Sequence, residues 1–244
     1  MLNQPHIFVL SLSDCIERRT PLLKQLQEFG LKYEVWNAID GRQGLPGHYE
    51  SHIDRERTRQ HMGRNMSDTE FACALSHRAM QQTILNRKLP GALILEDDAV
   101  LTESIPGIVS LLPLKEQDLT LLYHQGGYAW RRAGPISQKH NARRITLHPN
   151  GAVAYYITQE AAARMIDANT PVQYVADWPL DLSRISACIL QPRPVQVTLT
   201  NSAIEGSRLD MKKVRSMRFL RSMRFLRRSY WRRKYLKLVS DKLC

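Results

Sequence analysis

Three consecutive carboxylates, Glu96-Asp97-Asp98, are the residues of this sequence with the clearest chemical potential. They directly follow a short apolar run at residues 92–95, which predicts a buried strand. Adjacent carboxylates repel one another unless a cation or hydrogen-bond donors compensate, so the run indicates a binding site. Hard divalent cations prefer oxygen ligands and often bridge carboxylates to substrate phosphates. The alternative is an acidic surface turn or helix start that binds nothing.

The orientation of the three side chains follows from the geometry of an extended chain. Alternate residues of a strand point the same way, so Glu96 and Asp98 are expected to face one site while Asp97 points elsewhere. In an open α/β sheet, ligands bind at the carboxyl ends of the strands. The sequence therefore predicts a site for Mn²⁺ or Mg²⁺ held by Glu96 and Asp98.

Weaker signals occur elsewhere in the chain, and each has a structural alternative. The pair Arg18-Arg19 could hold a phosphate, or it could lie on a solvated helix face. His77 lies within a predicted helix, where a lone histidine is more often structural. Asp177 precedes Trp-Pro and could be a helix N-cap instead of a functional acid. The sequence has no P-loop, no dinucleotide-binding glycine fingerprint and no serine nucleophile elbow.

The elements that would position these residues alternate between strands and helices. Strands are predicted at residues 6–12, 32–36, 92–95, 119–123, 144–147 and 152–157, and helices at 15–29, 67–86 and 159–168. Ser67 and Glu70 have the spacing of a capping box, and Gly30 is a typical residue to end a helix. Residues 42–66 are polar and are expected to form an irregular loop. This order predicts an α/β fold with a central, mainly parallel sheet.

The net charge of +12 is concentrated at the end of the chain. Residues 211–244 contain 13 of the 35 Lys and Arg but only one of the 23 Asp and Glu, Asp241, so the other 210 residues hold 22 of each sign. The segment includes a direct repeat, SMRFLR at 216–221 and 222–227, whose period of six gives no single apolar stripe. We expect a domain at 1–208 and a basic, helical tail at 209–244 that binds an anionic membrane surface.

Length, composition and cysteine content narrow the class of protein. A chain of 244 residues with 43% hydrophobic residues fits one globular α/β domain. It contains no apolar run long enough to span a bilayer, and its first residues do not resemble a secretory signal. We therefore expect a cytoplasmic protein. The four cysteines are scattered, and each is expected to be a buried or incidental thiol.

A series of short motifs occurs in order over roughly residues 6–205. They are Ser11-Leu12, Arg18-Arg19, Ala38-Ile39-Asp40-Gly41, the Ser67 to Glu70 box with Leu75-Ser76-His77, Leu95-Glu96-Asp97-Asp98, Gly151-Ala152 and Asp177. In this order they resemble glycosyltransferase family 25, the lipooligosaccharide galactosyltransferase-like family. The basic repeat lies outside the resemblance.

The resemblance implies a GT-A-like nucleotide-sugar-binding fold, a UDP-sugar donor (usually UDP-galactose) and inversion at the anomeric carbon. Glu96-Asp97-Asp98 corresponds to the acidic metal motif of the family, with Glu in place of a first Asp. The usual Gly-Thr pair of the family is Gly151-Ala152 here, without the hydroxyl group.

The resemblance also assigns roles to individual residues. Donor-binding roles fall to Ser11, Arg18, Asp40, His77 and Glu96, catalytic roles to Asp177 and Asp97, and metal binding to Glu96 and Asp98. Ser11 and Asp40 would lie near the nucleotide, and Arg18 near its phosphates. Asp177 is the predicted general base, with Asp181 as the second choice.

The predicted activity is transfer of a hexose to a glycolipid acceptor of the lipooligosaccharide or lipopolysaccharide type, at the inner face of the cytoplasmic membrane. Two other classes of function are compatible with parts of the sequence. Thirteen basic residues with interleaved aromatic residues suit a nucleic-acid-binding protein, although the rest of the chain is neutral and has an acidic cluster, so no nucleic acid is expected. The second is a non-catalytic, glycan-binding relative that retains the fold.

Overall fold

The computed structural model describes residues 4–114, 116–198 and 228–243. Its strands are β1 (His6–Ser11), β2 (Glu34–Asn37), β3 (Gly91–Glu96), β4 (Ala99–Leu101), β5 (Leu119–Leu121), β6 (Tyr128–Trp130), β7 (Gly134–Pro135), β8 (Asn141–Leu147), β9 (Ala154–Thr158), β10 (Ala187–Gln191), β11 (Val195–Val197) and β12 (Ser240–Lys242). Its α-helices are α1 (Ile16–Glu28), α2 (Arg55–Met62), α3 (Asp68–Asn86), α4 (Ile105–Val109), α5 (Gln159–Ala168) and α6 (Arg228–Val239). Short 3-10 helices span Gly47–His52, Leu112–Leu114 and Leu182–Arg184.

A ten-stranded sheet has the order β12-β6-β8-β10-β5-β9-β3-β1-β2, with β7 beside β8. The strands β2, β1 and β3 are mutually parallel, and so are β5 and β10. Seven of the ten strands run in one direction, and β8, β9 and β12 run in the other. The predicted α/β fold with a central, mainly parallel sheet is confirmed.

The two faces of this sheet are covered by different helices. Side chains alternate along each strand, so Phe8 and Ile94 point to one face while Val9 and Leu95 point to the other. The first face packs on α3 and α5 through Met80, Ile84, Ala161, Ala162 and Met165. The second packs on α1 and α4 through Leu22, Leu26, Ile105, Ile108 and Val109. The buried strands therefore form the middle layer of three.

The predicted helix boundaries are set by local signals in the sequence. Ser67 accepts a hydrogen bond from the backbone of Glu70, whose side chain accepts one from the backbone of Ser67, so the capping box is confirmed. Gly30 has a positive φ of 66° directly after α1, as expected of a glycine that ends a helix. These signals determine where α3 begins and where α1 ends along the chain.

The prediction of an irregular loop at residues 42–66 is wrong for most of its length. It contains a 3-10 helix and the helix α2, which Asp54 caps by accepting a hydrogen bond from the backbone of Arg57. Only Thr58 of α2 is buried, so the helix has no apolar stripe for a periodicity search to detect. Ion pairs such as Arg59–Glu56 (2.8 Å) contribute to a helix of this kind.

The end of the chain joins the sheet. β12 pairs with β6 in antiparallel register, and Leu236 and Leu243 are buried. Asp241 binds Arg143 at 2.6 Å. Helix α6 agrees with the predicted helical tail, whereas the SMRFLR repeat and the predicted boundary at 208/209 lie outside the described residues.

No helix within residues 4–114, 116–198 or 228–243 combines the length and apolar character needed to cross a bilayer.

Candidate active site

In the order β3-β1-β2, the strands that follow β1 in the sequence lie on opposite sides of it, so β1 marks a topological switch point of the sheet. From β1 the chain continues to β2 on one side, and it later returns to place β3 on the other side. At such a point the loops that follow two neighbouring parallel strands separate and leave a crevice. Ser11 is the last residue of β1 and Glu96 the last of β3, so both lie at this edge.

A cleft with a cavity volume of about 160 Å³, partly open to solvent, occupies this position, and we call it the acidic cleft. It is lined by Leu10, Ser11, Leu12, Cys15, Arg18, Ala38, Ile39, Asp40, Gly41, Arg42, Thr69, Cys73, Glu96, Asp97 and Asp98. The structure thus brings together all the predicted donor-binding and metal-binding residues except His77.

Arg18 contacts the two aspartates of the acidic motif. Its Nε lies 2.9 Å from Asp97 Oδ1 and its Nη2 lies 2.8 Å from Asp98 Oδ2. Ser11 Oγ donates a hydrogen bond to Asp97 Oδ2 at 2.9 Å. The expectation that Asp97 points away from the site is wrong, because the chain leaves the extended conformation after Glu96 and turns at Asp97 and Asp98.

The electrostatics of the motif favour an additional cation. Burial, together with the charge of Glu96, raises the pKa of Asp98 to about 6, and burial raises the pKa of Asp97 in spite of the nearby Arg18. Asp98 Oδ1 is buried and has no hydrogen-bond partner among the described residues. Two carboxylates therefore share one guanidinium, the charge of Glu96 lies nearby, and a buried oxygen atom suited to a cation has no partner among the described residues.

Arg19, the neighbour of Arg18, has a structural role. Its Nη1 donates to the backbone carbonyls of Leu12 (2.9 Å) and Ser13 (3.3 Å). These bonds hold the turn between β1 and α1. Of the two arginines predicted as phosphate ligands, Arg18 alone lines the acidic cleft.

His77 lies behind Glu96 and does not line the cleft. It is buried on α3, with Nε2 at 3.1 Å from Glu96 Oε1 and Nδ1 at 2.9 Å from the hydroxyl of Tyr155. The imidazole therefore orients the carboxylate of Glu96. The sequence analysis gave His77 a donor-binding role, with a structural role as the alternative, and its contacts with Glu96 and Tyr155 agree with the structural alternative.

Asp40 lies on the opposite rim of the cleft. Its carboxylate accepts hydrogen bonds from Arg42 Nε and Nη2, and these bonds lower its pKa. The loop is fixed by Ser76 Oγ, which accepts a hydrogen bond from the backbone of Ile39 at 2.9 Å. Gly41 is required there, because a Cβ atom would clash with the backbone of Asp68.

A second, smaller pocket, the side chamber, opens beyond Glu96. It is lined by Glu70, Cys73, Glu96, Gly151, Ala152, Val153, Val175, Ala176 and Asp177. Asp177 Oδ1 accepts a hydrogen bond from the backbone of Gly151 at 3.1 Å. No α-helix starts at Asp177, so the N-cap alternative does not apply. Cys73 and Glu96 line both pockets, which places Asp177 across a shared wall from the acidic motif.

Asp181, the second choice for a base, is occupied by structural contacts. It caps the 3-10 helix Leu182–Arg184 and binds Arg232 of α6 at 2.6 Å. Burial raises its pKa, but hydrogen bonds from Ser183 and Arg232 outweigh this effect, and the net pKa lies below the usual value. Asp181 does not line the side chamber.

Cys73 is a residue of the site that the sequence analysis missed. Cys73, His77 and Glu96 each offer one potential ligand atom, and these atoms all lie within 4.8 Å of one another. Burial and the neighbouring carboxylates raise the pKa of the Cys73 thiol well above its usual value. The i, i+4 spacing of Cys73 and His77 on α3 is the signal in the sequence that could have indicated this pair.

Comparison with known proteins places these features in a family. A family model described as glycosyltransferase family 25 (LPS biosynthesis protein) matches residues 4–181. A "Glycosyltransferase 25 family member" of Anopheles gambiae is 31% identical over 109 residues, which are 40% of this chain and 17% of that protein. "Procollagen galactosyltransferase 2" of Homo sapiens is 27% identical over 104 residues, 38% of this chain and 15% of that protein.

Two solved structures have more distant similarity. Protein A197 from STIV has 12% identity and a TM-score of 0.44, with 82% of this chain and 87% of that chain covered. A glycosyltransferase involved in the glycosylation of the major capsid of PBCV-1 has 11% identity and a TM-score of 0.31, with 66% and 63% covered. The family match extends over the acidic cleft and the side chamber. This chain belongs to glycosyltransferase family 25.

Proposed function

We propose that the protein transfers a hexose, most directly galactose from UDP-galactose, to a lipooligosaccharide or lipopolysaccharide glycan with inversion at the anomeric carbon. One observation carries the proposal: the acidic cleft with Arg18 and the side chamber with Asp177 share a wall. A donor bound in the first and an acceptor bound in the second would meet beside Glu96. The description of the family as LPS biosynthesis and the galactosyltransferase name of the human relative support this choice of substrates.

Arg18 would hold the donor directly, and Ser11 would do so by holding Asp97 in place. Arg18 presents a planar guanidinium in the cleft, a group that binds diphosphate oxygens in bidentate fashion. Asp97, which Ser11 and Arg18 hold in place, would accept hydrogen bonds from the ribose or the donor sugar. Asp40 would lie near the nucleotide at the rim.

The residues of the acidic motif fit a divalent cation. The unpartnered Asp98 Oδ1 and the raised pKa of Asp98 both reflect uncompensated negative charge. Glu96 and Asp98 would hold Mn²⁺ or Mg²⁺, which neutralises the charge of a departing diphosphate. His77 would keep Glu96 in position for this role.

Asp177 would act as the general base. In a single displacement, the acceptor oxygen bonds to the anomeric carbon as the bond to the UDP oxygen breaks, and the hydroxyl proton passes to Asp177. The bond from the backbone of Gly151 fixes the carboxylate at the wall of the side chamber. Asp181 is engaged by Ser183 and Arg232, so we assign it a structural role.

The outer face of α6 supports a membrane partner. Trp231, Tyr235 and Leu238 are exposed by 60%, 59% and 74% and share one side of the helix at i, i+4, i+7. Exposed basic residues, Arg233 and Lys234, flank them. Aromatic and apolar side chains that enter the headgroup layer beside Lys and Arg bind anionic bilayers. We propose that α6 holds the enzyme at the cytoplasmic face of the membrane, near its glycolipid acceptor.

The proposed reaction is tested by a panel of UDP-sugars with glycan acceptors, with and without Mn²⁺. We expect UDP release and a transferred sugar with UDP-galactose, lost on addition of EDTA. Transfer that is equally fast in EDTA would contradict the metal role. A folded protein that transfers nothing from any donor would instead indicate a binding module.

The membrane proposal is tested by sedimentation with vesicles of anionic phosphatidylglycerol and of neutral phosphatidylcholine. The triple substitution of Trp231, Tyr235 and Leu238 by serine should weaken binding to the anionic vesicles at least about tenfold, because it removes the apolar face and keeps every charge. Point substitutions are needed, since deletion of residues 228–244 would also remove β12 and the buried Leu236. Unchanged sedimentation of the triple variant would refute the assignment of this face.

A further inference from the structure

Among the described residues, potential metal-ligand atoms of Cys73, His77 and Glu96 lie close together. Of these three residues, only Glu96 belongs to the predicted metal motif. Cys73 and His77 lie one helical turn apart on α3 and face the end of β3, where Glu96 is located. We propose that these three side chains form a binding site for a thiophilic divalent cation of the zinc class.

The donor set determines which cations fit. A thiolate and an imidazole with one carboxylate suit Zn²⁺ and Co²⁺, whereas Mg²⁺ and Mn²⁺ prefer sites made of oxygen atoms. Binding replaces the thiol proton of Cys73, which passes to solvent. Three protein ligands would leave a fourth position for water or another ligand. Two of the three residues, Cys73 and Glu96, line both pockets.

The surroundings of His77 provide the support that a metal-binding histidine needs. Its Nδ1 is 2.9 Å from the hydroxyl of Tyr155, which is 1% exposed. When Nε2 of His77 binds a cation, Nδ1 carries the ring proton, and Nδ1–H donates a hydrogen bond to the tyrosine oxygen. Without a cation, Nε2–H donates to Glu96, so the same residues also form a stable apo arrangement.

An ion at this site would compete for Glu96 with the acidic motif. Zinc-class cations would therefore oppose the use of Mn²⁺ or Mg²⁺ by Glu96 and Asp98. This consequence rests on the proposed function, whereas the existence of the site does not.

The site is tested by titration of the full chain with Co²⁺, followed by absorption spectroscopy. We expect a sulfur-to-cobalt charge-transfer band that Zn²⁺ removes and that excess Mn²⁺ leaves unchanged. Cys73→Ser should abolish the band. Cys15→Ser, which changes another thiol of the same cleft, and Cys188→Ser, which changes a buried thiol of β10, should retain it.

Two further variants allow the proposal to be tested even if Cys73→Ser does not fold. Glu96→Gln and Tyr155→Phe keep the thiol and should each weaken Co²⁺ binding about 10- to 100-fold. Absence of the band in the unmodified protein, or its persistence in Cys73→Ser, would overturn the proposal. Neither result depends on sugar transfer, so the site and the proposed activity can fail independently.

Discussion

The acidic cleft takes its key residues from the ends of two adjacent parallel strands, whereas the side chamber takes most of its residues from connecting segments. Ser11 and Glu96 end β1 and β3, and a short turn places Asp97 and Asp98 beside them. In contrast, Gly151 and Asp177 lie outside strands and helices, 26 residues apart, and one hydrogen bond joins them. Strand ends fix geometry, while loops can change without loss of the core. We infer that donor chemistry is built into the sheet and acceptor choice into the loops.

The largest expected effect is that of Asp98→Asn in the acidic cleft. The change removes the charge of a carboxylate with an unpartnered buried oxygen and should lower transfer by about 10³-fold. UDP release and product formation measure the loss. Asp167→Asn, the same change on the exposed face of α5, is the control and should be fully active. Near-normal transfer by Asp98→Asn would exclude it as a metal ligand.

Asp177→Asn tests whether the two pockets are functionally separate. Loss of a general base should lower transfer by about 10²-fold or more, while the affinity for UDP, measured by calorimetry, should not change. A parallel loss of UDP affinity would mean that the side chamber contributes to donor binding, so the two pockets would not be functionally separate.

Arg18→Lys keeps one positive charge but removes the fork that contacts both Asp97 and Asp98. The KM for the donor should rise about tenfold, with a smaller change in kcat. Arg19→Lys is the matched control, and it should alter thermal stability more than KM because Arg19 binds backbone carbonyls. An unchanged KM in Arg18→Lys would remove Arg18 from donor binding.

The smallest effect is expected where α6 contacts the segment that contains Asp181. The ion pair between Arg232 and Asp181 is partly exposed, so Asp181→Asn should cost about 0.5–1 kcal/mol of unfolding free energy at pH 7. The pKa of Asp181 is depressed in the folded state, so its contribution is present above the unfolded value of 3.8 and is lost as the pH falls below it. Urea unfolding should therefore show a smaller difference in unfolding free energy between Asp181→Asn and the unmodified protein at pH 3 than at pH 7.

A double variant separates this ion pair from other effects of the two substitutions. Arg232→Gln should cost about as much as Asp181→Asn, and the combination should cost less than the sum of the two. Strict additivity would show that the ion pair contributes nothing to stability.

Local signals in the sequence predicted the central strands of the sheet and the helices that pack on it. The apolar runs of β1 and β3 and the Ser67 capping box identify the elements that carry the acidic cleft, and the family resemblance assigns their residues. The contacts of Arg18 with both aspartates were not predictable, because they depend on a turn that begins one residue after the strand. Helix α2 has no apolar stripe, and β12 is a three-residue strand formed by pairing with β6, so neither has a local signature.

The position of β12 at the end of the sheet has a consequence for biosynthesis. β6 precedes β12 by about a hundred residues, so during translation the β6 edge is complete long before its partner leaves the ribosome. An unpaired strand edge is a template for association with other chains. Nascent and prematurely terminated chains, which expose the β6 edge, should therefore aggregate more readily than the full-length protein.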